Sequence, residues 1–158
     1  MAQPYKQTLS KEQALQKARY FCGYQERTHQ EVKEKLYTFG LRKVEVEELL
    51  STLIEDNYLN EERFAIQYAG GRFRIKCWGK VKIRYELKQK QISEYCIKKA
   101  IANIDDEAYQ ATFLRLAEEK KESLKSEKNL FTKKRKIQDY LLQKGYEREL
   151  INDFIKEL

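Results

Sequence analysis

VKEKLYTFGLRKVEVEELL, residues 32–50, decides the fold once it is laid over IRYELKQKQISEYCIKKAI at 83–101 and IQDYLLQKGYERELINDFI at 137–155. In the first stretch Val32, Leu36, Gly40, Leu41, Val46 and Leu50 are separated by 4, 4, 1, 5 and 4 residues. Ile83, Leu87, Gln91, Ile92, Ile97 and Ile101 repeat those spacings 51 residues later. Ile137, Leu141, Gly145, Tyr146, Ile151 and Ile155 repeat them again after a further 54. A spacing of 4 keeps apolar residues on one helical face, and a glycine followed at once by an apolar residue marks a short turn between two steeply crossed helices. A helical unit used three times builds an extended surface rather than a cavity.

Start and stop signals place three helices in each unit. Ser10 and Gln13 form a capping-box pattern ahead of a stripe of Ala14, Leu15, Ala18, Tyr20, Phe21 and Cys22. Thr28 with Glu31 opens the second helix, Gly40 stops it, and a third runs over about 43–56 with Val46, Leu49, Leu50, Leu53 and Ile54. Asn60 caps the fourth, whose inner side carries Phe64, Ala65, Tyr68 and Ala69. Gly70-Gly71 in its middle predicts a bend or a close neighbour. A fifth helix spans about 80–90, and Ser93 opens a sixth to about Asn103. The acids of Asp105-Asp106-Glu107 favour the start of a seventh, which carries Tyr109, Phe113, Leu114, Leu116 and Ala117. Residues 118–130 read as an exposed helix end or a mobile link. Thr132 is expected to cap the eighth helix, which Gly145 stops, and a ninth covers 147–157. The expected architecture is all-α: an extended array of three tandem three-helix repeats resembling helix-turn-helix units. A flexible leader over 1–9 is followed by repeats at 10–58, 59–104 and 105–158.

The 158 residues are 41% hydrophobic and 36% charged, too apolar for a disordered chain and highly charged for a compact one, as a surface-rich array requires. No apolar run is long enough to span a membrane, and the first six residues lack the apolar stretch of a signal peptide, so no membrane and a cytoplasmic location are expected. Cys22, Cys77 and Cys96 are widely spaced without a CxxC pair, which reads as free thiols in a reducing compartment rather than a disulfide or zinc framework.

The net charge of +7 is unevenly placed. Residues 1–60 carry nine basic and nine acidic side chains and residues 105–158 twelve of each, whereas 61–104 carry eleven basic and four acidic. The whole excess sits in the middle unit, mainly on Arg72, Arg74, Lys76, Lys80, Lys82, Arg84, Lys88 and Lys90. A basic stripe neutralises phosphates and releases their counterions, so it points to single-stranded or duplex DNA, or another polyanion. Phe73, Trp78 and Tyr85 interleave with it, but core or staple roles fit Trp78 and Tyr85 better than base stacking. Lys133, Lys134 and Arg135, followed by Lys136, form a second basic run offset by neighbouring acids.

Chemistry has little to work with. His29 is the single histidine, no nucleophile has a partner motif, and no GKS or GKT follows Gly70-Gly71. No enzyme, cofactor or metal is expected. A transcription-factor reading would need base-edge contacts, and the helices at 93–103 and 147–157 offer few Arg, Asn or Gln for them.

Four fragments resemble the RecX family, regulators of the bacterial RecA recombinase. Tyr58-Leu-Asn-Glu-Glu-Arg-Phe-Ala65 is similar to the family's yLnDxrFA, with Glu61 at the usual Asp position. The stretch Trp78–Ile92 resembles Gxx(K/R)(I/L)xxELxxKGI, with Gln91 where glycine is usual. Leu141–Tyr146 resembles FLxxRGF, and Glu31–Leu36 resembles ELrxKL. The likeness runs over about residues 10–158 in order. It implies a curved, elongated array of the three units, acting as a non-catalytic modulator that binds the RecA–DNA filament, inhibits its recombinase and coprotease activities, and so regulates DNA repair and the SOS response; a monomer is expected. The expected contact residues are Arg72, Arg74, Lys76, Lys80, Lys82, Arg84 and Lys88, then Lys133, Lys134 and Arg135. Two other readings compete: a helical-repeat DNA-binding protein acting without RecA, and an adaptor for another protein.

Overall fold

The computed structural model describes residues 8–158. Among these are nine α-helices and no strand: α1 (Lys11–Tyr24), α2 (His29–Thr38), α3 (Lys43–Glu55), α4 (Glu61–Lys76), α5 (Lys80–Gln89), α6 (Glu94–Ala102), α7 (Asp106–Ser123), α8 (Leu130–Lys144) and α9 (Arg148–Lys156). They form three three-helix repeats, and in each the second and third helices pack together across a turn of three or four residues. Residues 1–7 of the expected leader lie outside the described residues; the Leu9 N–H donates to the Phe39 carbonyl at 3.0 Å.

The caps follow the sequence closely. Ser10 Oγ accepts from the Gln13 N–H at 3.2 Å while Gln13 Oε1 accepts from the Ser10 N–H at 3.1 Å. Thr28, Asn60, Ser93 and Asp105 each accept the N–H three residues on, at 2.8–3.3 Å. The eighth helix differs from expectation: Asn129, not Thr132, is its cap, accepting the Thr132 N–H at 3.1 Å. The polar run at 118–130 is helical as far as Ser123.

The threefold register is a burial pattern. Its first, second, fourth and fifth positions are buried in every copy, none more than 7% exposed. The sixth, Leu50, Ile101 or Ile155, is half-buried. The third is left-handed each time, with φ of +83° at Gly40, +62° at Gln91 and +95° at Gly145. Gln91 therefore takes the glycine conformation instead of relaxing out of it, at a cost of about 1–2 kcal/mol.

Packing divides the chain into two units, residues up to Phe64 with Lys90–Ile92, and residues 65–89 with 93–158. The first has its core in Ala14, Ala18 and Cys22 of α1, Val32 and Leu36 of α2, and Val46, Leu49 and Leu53 of α3. Tyr20, read as part of the α1 stripe, is 77% exposed, because the alanines at 14 and 18 set the buried line. Leu114 and Ile54 likewise face outward.

The second unit is built on an aromatic chain. Phe73 lies 5.8 Å from Tyr109, Tyr109 5.3 Å from Tyr146, and Tyr146 5.2 Å from Phe113 between ring centroids. Around it the turn after α8 closes onto the start of α5. The Gly79 N–H donates to the Lys144 carbonyl at 2.8 Å and the Val81 N–H to the Gly145 carbonyl at 2.9 Å. Between them the Lys80 N–H donates at 3.0 Å to the Tyr109 hydroxyl, which itself donates to Glu147 at 2.8 Å. The Tyr146 hydroxyl donates to the Cys77 carbonyl at 2.8 Å. Two glycines permit this approach: a Cβ on Gly79 would sit 2.3 Å from the Gly145 oxygen, and one on Gly145 would sit 2.2 Å from the Lys82 Cβ.

The α4 glycines are used differently from one another. The helix runs unbroken through both, and the Arg74 guanidinium lies where a Gly70 Cβ would be, 2.6 Å away.

Burial drives the Tyr109 and Tyr146 phenols well above their usual range; the Lys80 N–H opposes the rise at Tyr109, while Glu147 adds to it. Both hold their protons in the folded chain where unfolded tyrosine, near pH 10, releases its own. Stability is therefore present below about pH 10 and falls as pH rises beyond it, by about 1.4 kcal/mol per pH unit for each phenol. Tyr109→Phe should remove one phenol's share of that slope in urea unfolding followed across alkaline pH, and lower neutral-pH stability by about 1–3 kcal/mol. Gln91→Gly should raise stability by up to about 1 kcal/mol through relief of the left-handed strain. Gly79→Ala should lower it by about 1–3 kcal/mol or more through overpacking against the Gly145 carbonyl, seen as an earlier denaturation midpoint.

Candidate nucleic-acid interface

The basic residues of the middle repeat separate into partnered and unpartnered groups. Lys80 Nζ pairs with Asp106 at 3.3 Å and sits 4.5 Å from the Tyr109 ring centroid. Arg84 pairs with Glu94 at 2.6 Å, and Lys88 reaches the same carboxylate at 3.9 Å. These three cations share two carboxylates, so one positive charge among them is left over. Arg72, Arg74, Lys76 and Lys82 have no carboxylate within ion-pair distance among the described residues.

Three of those four converge on Trp78. Its ring centroid lies 4.5 Å from Lys82 Nζ, 5.4 Å from the Arg72 guanidinium carbon and 5.7 Å from Lys76 Nζ. The local geometry explains the convergence. Arg72 and Lys76 are one turn apart on α4, Cys77 takes a left-handed φ of +57°, and the chain then doubles back so that Lys82 of α5 meets the same ring. Arg72 also lies 4.9 Å from Tyr68. Trp78 is half-buried rather than sealed in the core. Arg74 stands apart against Gly70, and its side chain is exposed.

The α8 side adds residues that the sequence did not single out. Trp78, Lys82, Tyr140, Gln143 and Lys144 line a cleft of about 290 Å³ that contains no acidic side chain. Lys120 Nζ lies 5.0 Å over Tyr140, and Lys144 Nζ donates to the Lys76 carbonyl at 3.3 Å. Lys133 is seven residues before Tyr140 on α8, hence on the same helical stripe. Lys133, Lys134 and Arg135 have no carboxylate partner among the described residues, whereas Lys136 pairs with Glu127 at 3.6 Å. The cleft offers a polyanion cations held on two aromatic rings. It holds no histidine, carboxylate or thiol for proton transfer or nucleophilic attack.

Cys22 and Cys96 are buried free thiols, and burial raises the Cys22 thiol above its usual value. Cys77 is half-buried, with Arg115 Nη2 donating to its sulfur at 3.3 Å. Among the described residues no group of three or more His, Cys, Asp or Glu is placed to hold a metal ion, and no helix is long and apolar enough to cross a membrane.

Residues 60–101 match the family model for the RecX second three-helix domain, and residues 106–155 match that for the RecX third three-helix domain. The chain is 33% identical over 132 residues to a regulatory protein RecX from Clostridium botulinum, covering 83% of this chain and 61% of that protein. It is 30% identical over 138 residues to a regulatory protein RecX from Bacillus cytotoxicus, covering 87% and 51% respectively. It thus spans between half and about three-fifths of the length of these curated relatives. The crystal structure of RecX from Lactobacillus salivarius superimposes with a TM-score of 0.84 at 25% identity, covering 94% of this chain and 96% of that one. The two domain matches together cover more than half of the chain, and a family structure shares its fold end to end: the chain belongs to the RecX family.

Proposed function

We propose that this chain is a non-catalytic modulator of the RecA recombinase. In this reading it binds the RecA–DNA filament in the cytoplasm, inhibits the filament's recombinase and coprotease activities, and so tempers DNA repair and the SOS response. Membership of the RecX family carries the reading. The unpaired cations support it physically. Arg72, Lys76 and Lys82 surround Trp78 with no carboxylate to neutralise them, and Lys133, Lys134 and Arg135 extend the basic character along α8. Phosphate would replace the missing counter-charge and release condensed cations from the DNA. Lys80, Arg84 and Lys88 serve chiefly to fix α5 against Asp106 and Glu94. Binding alone, without a bond made or broken, is enough to block filament growth or the groove in which partners dock.

The direct test is the DNA-dependent ATPase and strand-exchange activity of RecA filaments titrated with this protein. Progressive inhibition is expected, and no effect at saturation would sink the reading. DNA binding without any effect on RecA would favour a helical-repeat protein acting on DNA alone. Lys76→Glu with Lys82→Glu should weaken association by about tenfold or more and reduce the salt slope by about 2, with helicity unchanged. Trp78 is the one tryptophan of the chain, so its emission reports on this cleft directly and should change on adding DNA or filament.

A further inference from the structure

The first unit has a second groove, larger than the Trp78 cleft and formed by α1, α2 and the segment joining them, with a volume of about 620 Å³. One wall is a stripe of α1: Lys17, Tyr20 and Tyr24 follow at helical spacing, with Phe21 beside them. The other is Lys35 and Phe39, one turn apart at the end of α2. Tyr20 and Tyr24 are 77% and 75% exposed, an unusual cost for two neighbouring aromatic rings on one helix.

The charges in the groove are all of one sign. Arg27 sits 3.7 Å over the Phe21 ring, with its Nε donating to the Phe21 carbonyl at 3.1 Å and a carboxylate oxygen of Glu31 at 3.9 Å. Lys35 Nζ is 5.4 Å from Phe21 and 5.8 Å from Phe39, and Lys17 Nζ is 6.0 Å from Phe39. Neither lysine has a carboxylate within ion-pair distance among the described residues, and no acidic side chain lines the groove. The two phenylalanine faces are occupied by cations; the two tyrosine rings are open. An occupant must supply negative charge at the lysines and flat faces at the tyrosines.

We propose that this groove is a binding site for single-stranded nucleic acid, with backbone phosphate held between Lys17 and Lys35 and unpaired bases stacked on Tyr20 and Tyr24. Single strands fit where a duplex does not, because only unpaired bases present free faces to a side chain. The groove shares no residue with the Trp78 cleft.

Binding of fluorescein-labelled oligothymidylate, followed by anisotropy with the full chain, tests the proposal. Tyr20→Ala with Tyr24→Ala should weaken binding by about fivefold or more, while Tyr20→Phe with Tyr24→Phe should stay within about twofold. Lys17→Ala with Lys35→Ala should lower the slope of log affinity against log salt by about 1.4. Should the alanine pair lose helicity by circular dichroism, the lysine pair carries the test through the slope. The same loss is expected in the Lys76→Glu, Lys82→Glu background, which isolates this groove from the second-repeat cations. Unchanged affinity in the tyrosine-to-alanine protein would overturn the proposal, as would an equal loss for duplex DNA. Normal oligothymidylate binding with weakened binding to RecA filaments would show that the groove receives protein instead, and would overturn it as well.

Discussion

The start of α5 depends on groups supplied by the third repeat. Three consecutive N–H groups, at Gly79, Lys80 and Val81, donate to the Lys144 carbonyl, the Tyr109 hydroxyl and the Gly145 carbonyl. Helix starts ordinarily satisfy such donors with a local side chain or water. Here the carbonyl end of α8 does so, bringing the negative end of one helix dipole to the positive end of another. That joint needs no side chain at two positions, which is why Gly79 and Gly145 face each other. It also sets the Trp78 cleft, because Trp78 immediately precedes the joint and Lys82 and Lys144 flank it.

Charge does two jobs in the second unit. Lys80, Arg84 and Lys88 give their charge to Asp106 and Glu94, fixing α5 against its neighbours. Exposed ion pairs of this kind contribute little stability singly, so their main effect is to orient the helix. Arg72, Lys76 and Lys82 instead rest on the indole face, which tolerates several cations without neutralising any of them. The outcome is a local positive potential on a rigid aromatic support. The α1–α2 groove repeats the device with phenylalanine in place of tryptophan.

Much of the fold was legible in the sequence because its signals are local. The 4-4-1-5-4 spacing records burial directly, and Ser10, Thr28, Ser93 and Asp105 announce their helices. Asn129 was hidden by Leu130 and Phe131, which look like core residues and are exposed. The site was less legible. Arg84 and Lys88 resemble free cations until α6 brings Glu94 to them, and Lys80 until Asp106 arrives from the next repeat. Trp78 next to a helix start suggests a staple, yet the left-handed Cys77 turns it toward cations from two helices. Tyr140 and Lys144 enter the cleft only through the joint, whose traces in the sequence are Gly79 and Gly145, the latter reading equally well as an ordinary helix stop.

The joint also bears on how the chain comes off the ribosome. Synthesis is vectorial, and α5 emerges long before α8 does. Until residues 144 and 145 have been made, the amides at 79 and 81 have only water to bond, and the first turn of α5 frays. The second repeat therefore stays incomplete in the nascent chain and is finished from outside by the third, so the two mature as one cooperative unit rather than as successive beads.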